Sequence, residues 1–299
     1  MATFLSNNKP LLVKNKSQGM MWVFAALNFI FLCCAGGLFF FLIFESYPIF
    51  KLEGFDFWLG QDWWVGETYG ALPMLYGSTL VTALACLLVI PLALAVAIFT
   101  SEFLSSTPRR FVKSVLELLA GVPGIVYGLL GVSFLSLWIK DIFGLLDGNT
   151  LATAGCLLAI MILPTVLTLS EDAMHAVPAE YRDNALGLGL SKWQTAIAVV
   201  LPQALPGIVG AVLLGIGRAM GETIAVMLVV GSLDRIPDPW FNIFSSAQTI
   251  PSKLGREAAE SIGEGAHWSA LMALGLTLFL MVFLITFVGN HFLKRRRVS

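Results

Sequence analysis

The segment PMLYGSTLVTALACLLVIPLALAVAIFT, residues 73–100, decides the fold class of this protein because it contains no charged side chain. About 20 consecutive apolar residues are enough for a helix to cross the ~30 Å hydrocarbon core of a bilayer. In lipid, each backbone N–H and C=O must find a partner within the span itself, and a helix provides this. The segment therefore predicts a transmembrane helix.

Similar segments recur along the whole chain of 299 residues. The composition is 57% hydrophobic and 12% charged, with a mean hydropathy of +0.83, whereas soluble domains carry about 25% charged residues. We therefore expect an all-α integral membrane protein with six transmembrane helices. They lie at about residues 21–44, 73–100, 115–139, 151–170, 205–232 and 268–293.

The basic residues predict the orientation of these spans. With six spans, both termini lie on one side of the membrane, and that side holds the larger group of lysines and arginines. The group comprises Lys9, Lys14, Lys16, Arg109, Arg110, Lys113, Arg182, Lys192, Lys294, Arg295, Arg296 and Arg297. The opposite side holds Lys51, Lys140, Arg235, Lys253 and Arg256. Because cytoplasmic loops are enriched in lysine and arginine, we expect the N- and C-termini to be cytoplasmic.

The expected division of the chain follows from these spans. Residues 1–20 form a cytoplasmic tail, 21–72 the first transmembrane helix with a periplasmic loop, 73–293 the main transmembrane domain, and 294–299 a basic cytoplasmic tail. The first span continues past Cys34 to Phe44, which is too long for the apolar region of a signal peptide. Trp58, Trp63, Trp64 and Trp240 lie in the outer loops, where tryptophans typically anchor spans at the membrane surface.

The chain shows no sign of its own catalytic chemistry. Its four cysteines, Cys33, Cys34, Cys86 and Cys156, lie in apolar runs and behave as small hydrophobic residues. The three histidines lack the spacing of metal ligands, and neither a nucleophile–base pair nor a Walker A sequence is present. We expect neither an enzyme nor a bound cofactor, and any ATP must be bound by another subunit.

Proline and glycine interrupt several of the spans. Pro91 and Pro123 lie in the second and third spans, and glycines occur at 121, 124, 128 and 131 and again throughout the fifth span. Such breaks are tolerated where neighbouring helices or a water-lined cavity satisfy the freed backbone groups. A Gly217–Gly221 pair would also allow two helices to approach closely. The sequence leaves tight packing and a substrate path open as explanations.

The segment EDAMHAVPAEYRDNALGLGLSKWQTAIAVVLPQA, residues 171–204, is polar enough to leave the membrane. Pro178 suits a helix start, and Glu180 follows near the positive end of the helix dipole. GLGLS then predicts a break, and KWQTAIAVV a second amphipathic helix that ends before Pro202. A helix and a glycine turn that project from the membrane suit a docking element, although an ordinary loop fits the same pattern.

This segment resembles the EAA loop of ABC-importer permeases, whose pattern is Glu-Ala-Ala, three residues, Gly, nine residues, Ile, one residue and Leu-Pro. The pattern falls on Asp183, Asn184, Ala185, Gly189, Val199, Leu201 and Pro202. The spacing agrees throughout, and three residue types differ: Asp for Glu, Asn for Ala and Val for Ile. The resemblance implies that these seven residues couple the chain to an ATPase.

Two further stretches, LELLAGVPGIVYGLLG (116–131) and GRAMGETIAVMLVVGS (217–232), resemble phosphate-specific permeases of the PstC type. The resemblance implies a type I ABC importer permease with a MetI-like fold in the inner membrane. The implied partners are a homologous PstA-type permease, an ATP-binding subunit dimer, a periplasmic phosphate-binding protein and phosphate itself. Molybdate and sulfate permeases carry a similar stretch, so another oxyanion is the alternative substrate.

Arg218 and Glu222 are the charged residues of the second stretch, near its start. A spacing of four places them on one helical face, where they would form an ion pair. An ionised side chain near the bilayer centre costs at least about 2.5 kcal/mol and usually faces a partner or a water-filled cavity. The pair is either a structural bridge or a contact for an anion in transit. A stand-alone ion-coupled carrier and a non-transporting membrane scaffold are the competing functions.

Overall fold

The computed structural model describes residues 11–296 and the side chains of residues 20–291. Residues 1–10 of the predicted tail 1–20, residues 297–299 of the predicted tail 294–299, and the basic side chains at 14, 16 and 294–296 lie outside this description. The long helices are α1 (Leu11–Glu53), α3 (Leu72–Ile98), α4 (Ser106–Ala120), α7 (Leu151–His175), α10 (Leu201–Met220) and α13 (Ala266–Arg296). The short ones are α2 (Asp56–Leu59), α5 (Gly124–Leu130), α6 (Ser136–Phe143), α8 (Ala179–Gly187), α9 (Lys192–Thr195), α11 (Ile224–Val229) and α12 (Ile250–Glu257).

Six helical runs are long and apolar enough to cross a membrane. They span Met20–Glu53, Leu72–Phe103, Gly124–Phe143, Leu151–His175, Lys192–Met220 and Ala266–His291. Three of them contain a π-helical turn, at Phe99–Phe103, Gly131–Leu135 or Ala196–Val200. Two others contain a proline inside the helix, Pro48 in the first span and Pro164 in α7. The predicted all-α architecture with six spans is confirmed.

Helix α7 lies at the centre of the bundle and is its most buried span. It packs against α3, α10 and α4, and its side chains Leu158, Ile162 and Val166 belong to the main apolar core. Helix α1 packs mainly along α13, and most of its side chains from residue 20 to residue 44 are exposed. Because little of the described chain covers them, these apolar side chains are available to lipid or to another subunit.

The third span differs from the sequence prediction of 115–139. Helix α4 ends at Ala120, Gly121–Pro123 form a break, and the crossing run begins only at Gly124. Helix α4 instead carries Arg109, Arg110 and Lys113 and packs beside the last turns of α7. The reason is Pro123, whose extended backbone begins a new helix rather than continuing the old one.

The fifth span also differs from the predicted 205–232. It begins at Lys192, passes through Pro202 and ends at Met220, and α11 follows as a separate helix. Pro202 was expected to end a helix, but it occupies the first turn of α10 directly after the π-helical turn Ala196–Val200. A proline is tolerated there because local π geometry satisfies the backbone groups that it leaves without a partner.

Gly128 of α5 and Gly131, the first residue of the following π-helical turn, contact α11. A Cβ atom on Gly128 would lie 3.0 Å from the Cα of Ala225, and one on Gly131 would lie 2.9 Å from Val229 Cγ1. In α10, Gly215 packs closely against α7, whereas a Cβ on Gly217 would meet only Val282, at 3.9 Å. The close helix approach expected at the Gly217–Gly221 pair is therefore made by other glycines.

A cap of short elements covers the end of the bundle that carries α12, which we call the α12 end. Trp63 and Trp64 pair with Thr68 and Tyr69 in a two-stranded antiparallel hairpin. Trp63 is buried beneath the ammonium of Lys253, 5.0 Å from its ring centroid, and Trp58 donates to Thr277 at 3.1 Å. These two tryptophans therefore pack within the protein, whereas Trp64 and Trp240 are exposed, as membrane-surface anchors require.

Candidate functional site

Arg218 lies in the last turn of α10, within a membrane-crossing helix, and its side chain is exposed. Its Nη1 donates to Thr165 Oγ1 of α7 at 3.1 Å. A guanidinium has five N–H donors, so most of its donors stay available on the exposed surface. Because a charge in a span avoids lipid, this surface faces either a water-filled path or another subunit.

Glu222 is not on the same helix as Arg218, so the predicted ion pair on a shared helical face is wrong. Helix α10 ends at Met220, Gly221 forms its C-cap, and Glu222 lies in the short break before α11. Among the ion pairs of residues 20–291, none joins Arg218 to Glu222. The break ends the 3.6-residue periodicity on which the four-residue spacing depends.

The Glu222 carboxylate instead lies where two helices begin. Its Oε1 accepts the backbone N–H of Ala225 in α11 at 3.2 Å. A Cβ on Gly124, the first residue of α5, would lie 2.9 Å from the same oxygen. The first N–H groups of a helix lack intrahelical partners and carry partial positive charge. Glu222 therefore supplies negative charge and an acceptor at two interrupted helices within the membrane.

The space beside Glu222 is small. A cavity of about 10 Å³, lined in part by Ser78, Thr82, Met220 and Thr249, lies next to the carboxylate. This volume is close to the minimum that holds one water molecule. The space beside Glu222 therefore admits nothing larger than about one water molecule in this structure.

The segment that resembles the EAA loop forms a helix and turn at the other end of the bundle, which we call the α8 end. Asp183 and Asn184 are exposed on α8, and Ala185 is buried beneath it. The predicted break at GLGLS is confirmed, and Gly189 within it is exposed with φ +86°. A residue with a Cβ is strained in that conformation, which explains why glycine occupies the turn.

The last three residues of the EAA-like pattern lie below the surface or at its edge. Val199 and Leu201 are half-buried around the π-helical turn, and Pro202 is exposed at the start of α10. The structure therefore divides the seven residues into two groups. Asp183, Asn184, Ala185 and Gly189 belong to α8 and its turn, and Val199, Leu201 and Pro202 connect this element to the membrane span.

Arg182 fastens α8 to the bundle. Its Nε and Nη2 donate to the two carboxylate oxygens of Glu102 at 2.9 and 2.8 Å, and further bonds reach the carbonyls of Val177 and Met174. The hydrogen bond to Glu102 raises the pKa of Arg182, so this charge is permanent. Besides Asp183 and Asn184, the projecting surface carries the exposed side chains Tyr181, Leu186 and Leu188.

A second charged network at the α8 end was not predicted from the sequence. Arg109 of α4 forms an ion pair with the buried Glu171 of α7 and hydrogen-bonds to His175 at 2.9 Å. Lys113 bonds to Asp172, which raises the pKa of Lys113. The sequence did offer one signal, the acidic pair Glu171–Asp172 at the end of the fourth span. Nothing near it in the chain predicts that its basic partners lie on α4.

The comparisons with known proteins agree with this architecture. The family model described as a binding-protein-dependent transport system inner membrane component matches residues 89–298. The phosphate transport system permease protein PstC of Mesorhizobium japonicum is 34% identical over 90% of this chain and 88% of the relative. PstC of Pasteurella multocida is 35% identical over 85% of this chain and 84% of that relative.

Two solved structures share the fold. A chain of a bacterial ABC transporter involved in the import of the acidic polysaccharide alginate gives a TM-score of 0.64, with 14% identity over 96% of this chain and 99% of its own. A chain of the inward-facing MetNI methionine ABC transporter gives a TM-score of 0.56, with 18% identity over 76% of this chain and 94% of its own. These likenesses confirm the expected MetI-like fold. The chain belongs to the family of binding-protein-dependent transport system inner membrane components, as a multi-pass protein of the inner membrane.

Proposed function

We propose that this protein is the permease subunit of an ATP-driven importer that moves inorganic phosphate across the cytoplasmic membrane. The relatives named as phosphate transport permeases support the substrate, since they match most of the chain at about one-third identity. The observation that carries the proposal is Arg218, an exposed guanidinium at the end of a membrane-crossing helix.

The chemistry of Arg218 suits an anion in transit. A guanidinium binds two phosphate oxygens through forked hydrogen bonds and stays charged at any physiological pH. Thr165 engages Nη1 of Arg218 and orients the side chain. The remaining donors bind the anion when the path opens, and contact with one guanidinium at a time lets it leave again, as transport requires.

Glu222 has a different role from that of a counter-ion. Its Oε1 accepts from the N–H of Ala225, and it lies against Gly124, so it neutralises two helix starts while the bundle is closed at this level. An approaching anion experiences repulsion from this carboxylate. Glu222 therefore acts as a gate beside the path, and Arg218 acts as the contact for the anion.

The α8 end supports a coupling role. Asp183 and Asn184 face outward on α8, and Gly189 ends the element with a turn, so the surface is available to an ATP-binding subunit dimer. Val199, Leu201 and Pro202 join this element to α10, whose other end carries Arg218. A displacement of α8 is thereby transmitted along one helix to the anion contact.

This assignment sets the orientation and the partners. The α8 end faces the cytoplasm with both termini, and the α12 end faces a periplasmic phosphate-binding protein. A homologous PstA-type permease completes the path beside the main domain of residues 73–293. Helix α1, which contacts the bundle mainly through α13, lies at its periphery.

Reconstitution tests the function. We expect the complex with its ATPase, partner permease and binding protein to hydrolyse ATP faster when phosphate is added. Stimulation by molybdate or sulfate in place of phosphate would assign the permease to the alternative oxyanion. Equal uptake by this chain without any ATPase would instead identify a stand-alone carrier.

Reporter fusions test the orientation. We expect a reporter after Ser299 to be cytoplasmic and one inserted near Asp238 to be periplasmic, because the predicted inner side holds most of the basic residues. The measurement is reporter activity in cells, with protein level as the control. A periplasmic signal after Ser299 would reverse the topology.

A further inference from the structure

We propose that a cavity at the α12 end is a second anion site, which receives the oxyanion before it reaches Arg218. The inference rests on the proposed function. The cavity has a volume of about 360 Å³, within the ~300–1,000 Å³ typical of small-molecule sites. Its lining consists of Asn149, Met227, Leu228, Gly231, Ser232 and Arg256.

Arg256 is the charged group in this lining. It is exposed, and within residues 20–291 it has neither an ion-pair partner nor a side-chain hydrogen bond. Asn149 adds a polar group: its Oδ1 accepts from Ser136 at 2.9 Å, which leaves the amide nitrogen as a donor. A guanidinium beside an amide donor suits the oxygens of a small tetrahedral anion.

The helix that carries Arg256 is held firmly in place. Lys253, on the preceding turn of α12, is buried and bonds to Asp234 at 2.5 Å and to Glu257 at 2.6 Å. The backbone N–H of Ile250 donates to Ser78 Oγ of α3 at 2.8 Å. Lys253 thus pairs with the carboxylates of Asp234 and Glu257, so neither carboxylate neutralises Arg256.

The cavity lies next to the break at Glu222. A Cβ on Gly255 would lie 2.6 Å from Thr223 Cγ2 and 3.6 Å from Met227 Sδ, so α12 runs beside α11 at this point. A helix rises about 1.5 Å per residue, so Met227 lies about 4.5 Å along the helix axis from Ile224, where α11 begins after the break that holds Glu222. Along the chain, the cavity and Arg218 therefore flank the closed region around Glu222. An anion held by Arg256 waits on the far side of this gate.

The charge of the cavity can be measured with a thiol at its wall. The test uses the assembled complex carrying Ser232→Cys and measures the rate of labelling by an anionic methanethiosulfonate reagent divided by the rate for a cationic one. We expect this ratio to be higher with Arg256 present than in the same complex with Arg256→Gln. The ratio should fall about tenfold, because one positive charge steers the two reagents in opposite directions. Mass spectrometry of the peptide that contains position 232 separates this thiol from the native cysteines. Arg235→Gln, at an exposed arginine outside the cavity lining, is the matched control and should leave the ratio within twofold.

Occupancy is tested by protection. Millimolar phosphate should slow labelling at position 232 severalfold with Arg256 present and not with Arg256→Gln. Uptake by Arg256→Gln should fall about fivefold, while the binding protein still docks with unchanged affinity. An unchanged reagent ratio or an absence of protection by every oxyanion tested overturns the site. A loss of uptake that follows weaker docking also overturns it, because Arg256 would then contact the binding protein.

The same experiments separate this inference from the proposed function. If sulfate or molybdate protects the thiol and stimulates ATP hydrolysis whereas phosphate does neither, the site stands and the phosphate assignment fails. If phosphate stimulates hydrolysis and uptake without any protection, the function stands and the site fails.

Discussion

Arg182 and Arg218 are two arginines of one chain in opposite situations. Arg182 binds both oxygens of Glu102 and two backbone carbonyls, and 22% of its side chain is exposed. Arg218 makes one side-chain hydrogen bond, to Thr165, and is exposed inside a span. The first has its donors occupied and therefore holds structure together. The second retains donors that a passing anion can use.

The largest effect is expected from Arg182→Met. Removing one partner of a largely buried ion pair costs about 3 kcal/mol, because the other charge is left without compensation. We expect α8 to detach and the ATPase to be lost from the purified complex, along with uptake. The measurements are thermal unfolding and co-purification.

Arg110→Met is the control for this variant, since Arg110 bonds only to the carbonyl of Ser106 at 3.3 Å and is exposed. Adding Glu102→Gln to Arg182→Met should recover part of the stability, because no buried charge then lacks a partner. Full stability of Arg182→Met alone would show that α8 is held by other contacts.

The second effect concerns Arg218→Met combined with Glu222→Gln. We expect this double variant to assemble and to import about 10- to 100-fold less phosphate, since a hydrogen bond to a charged group contributes about 1.5–3 kcal/mol. Uptake normalised to assembled complex is the measurement. Arg218→Lys should retain part of the activity if charge suffices, and little if the planar fork is needed.

Normal uptake by the double variant would show that Arg218 has a structural role, as Arg182 does. Unfolding temperatures distinguish the two arginines independently of transport. Arg218→Met should leave the unfolding temperature near that of the parent complex, whereas Arg182→Met should lower it.

A smaller effect is expected at the turn after α8. Gly189→Val forces a β-branched side chain into φ +86°, which costs about 1–2 kcal/mol. We expect ATPase docking and uptake to fall about 5- to 30-fold while the protein reaches the membrane. Gly187→Val is the matched control, because its φ is not positive and its Cβ would meet open space. Equal losses in both variants would exclude backbone strain as the cause. Asp183→Ala should be milder than Gly189→Val.

The smallest effect is expected from Glu222→Gln. The amide oxygen of glutamine still accepts from Ala225 N–H, so the two helix starts keep an acceptor and the break survives. We expect assembly to be unchanged and uptake to rise by about twofold, because the repulsion between the carboxylate and an approaching anion is lost. A complex that requires the charge on Glu222 to pair with Arg218 would instead lose stability, and thermal unfolding measures the difference.

Local patterns predicted the parts of this molecule that depend on neighbours in the chain. The six spans follow from apolar length, and the positive φ of Gly189 follows from GLGLS between two helical segments. The start of the third span was misplaced because Gly121–Pro123 breaks the run before the membrane is entered. The buried Lys253 gave no local signal, since Asp234 and Trp63 reach it from distant segments.

The amino-acid sequence by itself determined that this chain is a helical membrane protein and where most of its helices lie, because apolar length and backbone restrictions act within a few residues. The tertiary structure alone decided the partners of the charges. Arg218 donates to Thr165, Glu222 lies at the starts of α11 and α5, and Arg182 pairs with Glu102. Coulomb and hydrogen-bond energies depend on distance in space, and only the packing of the helices sets those distances.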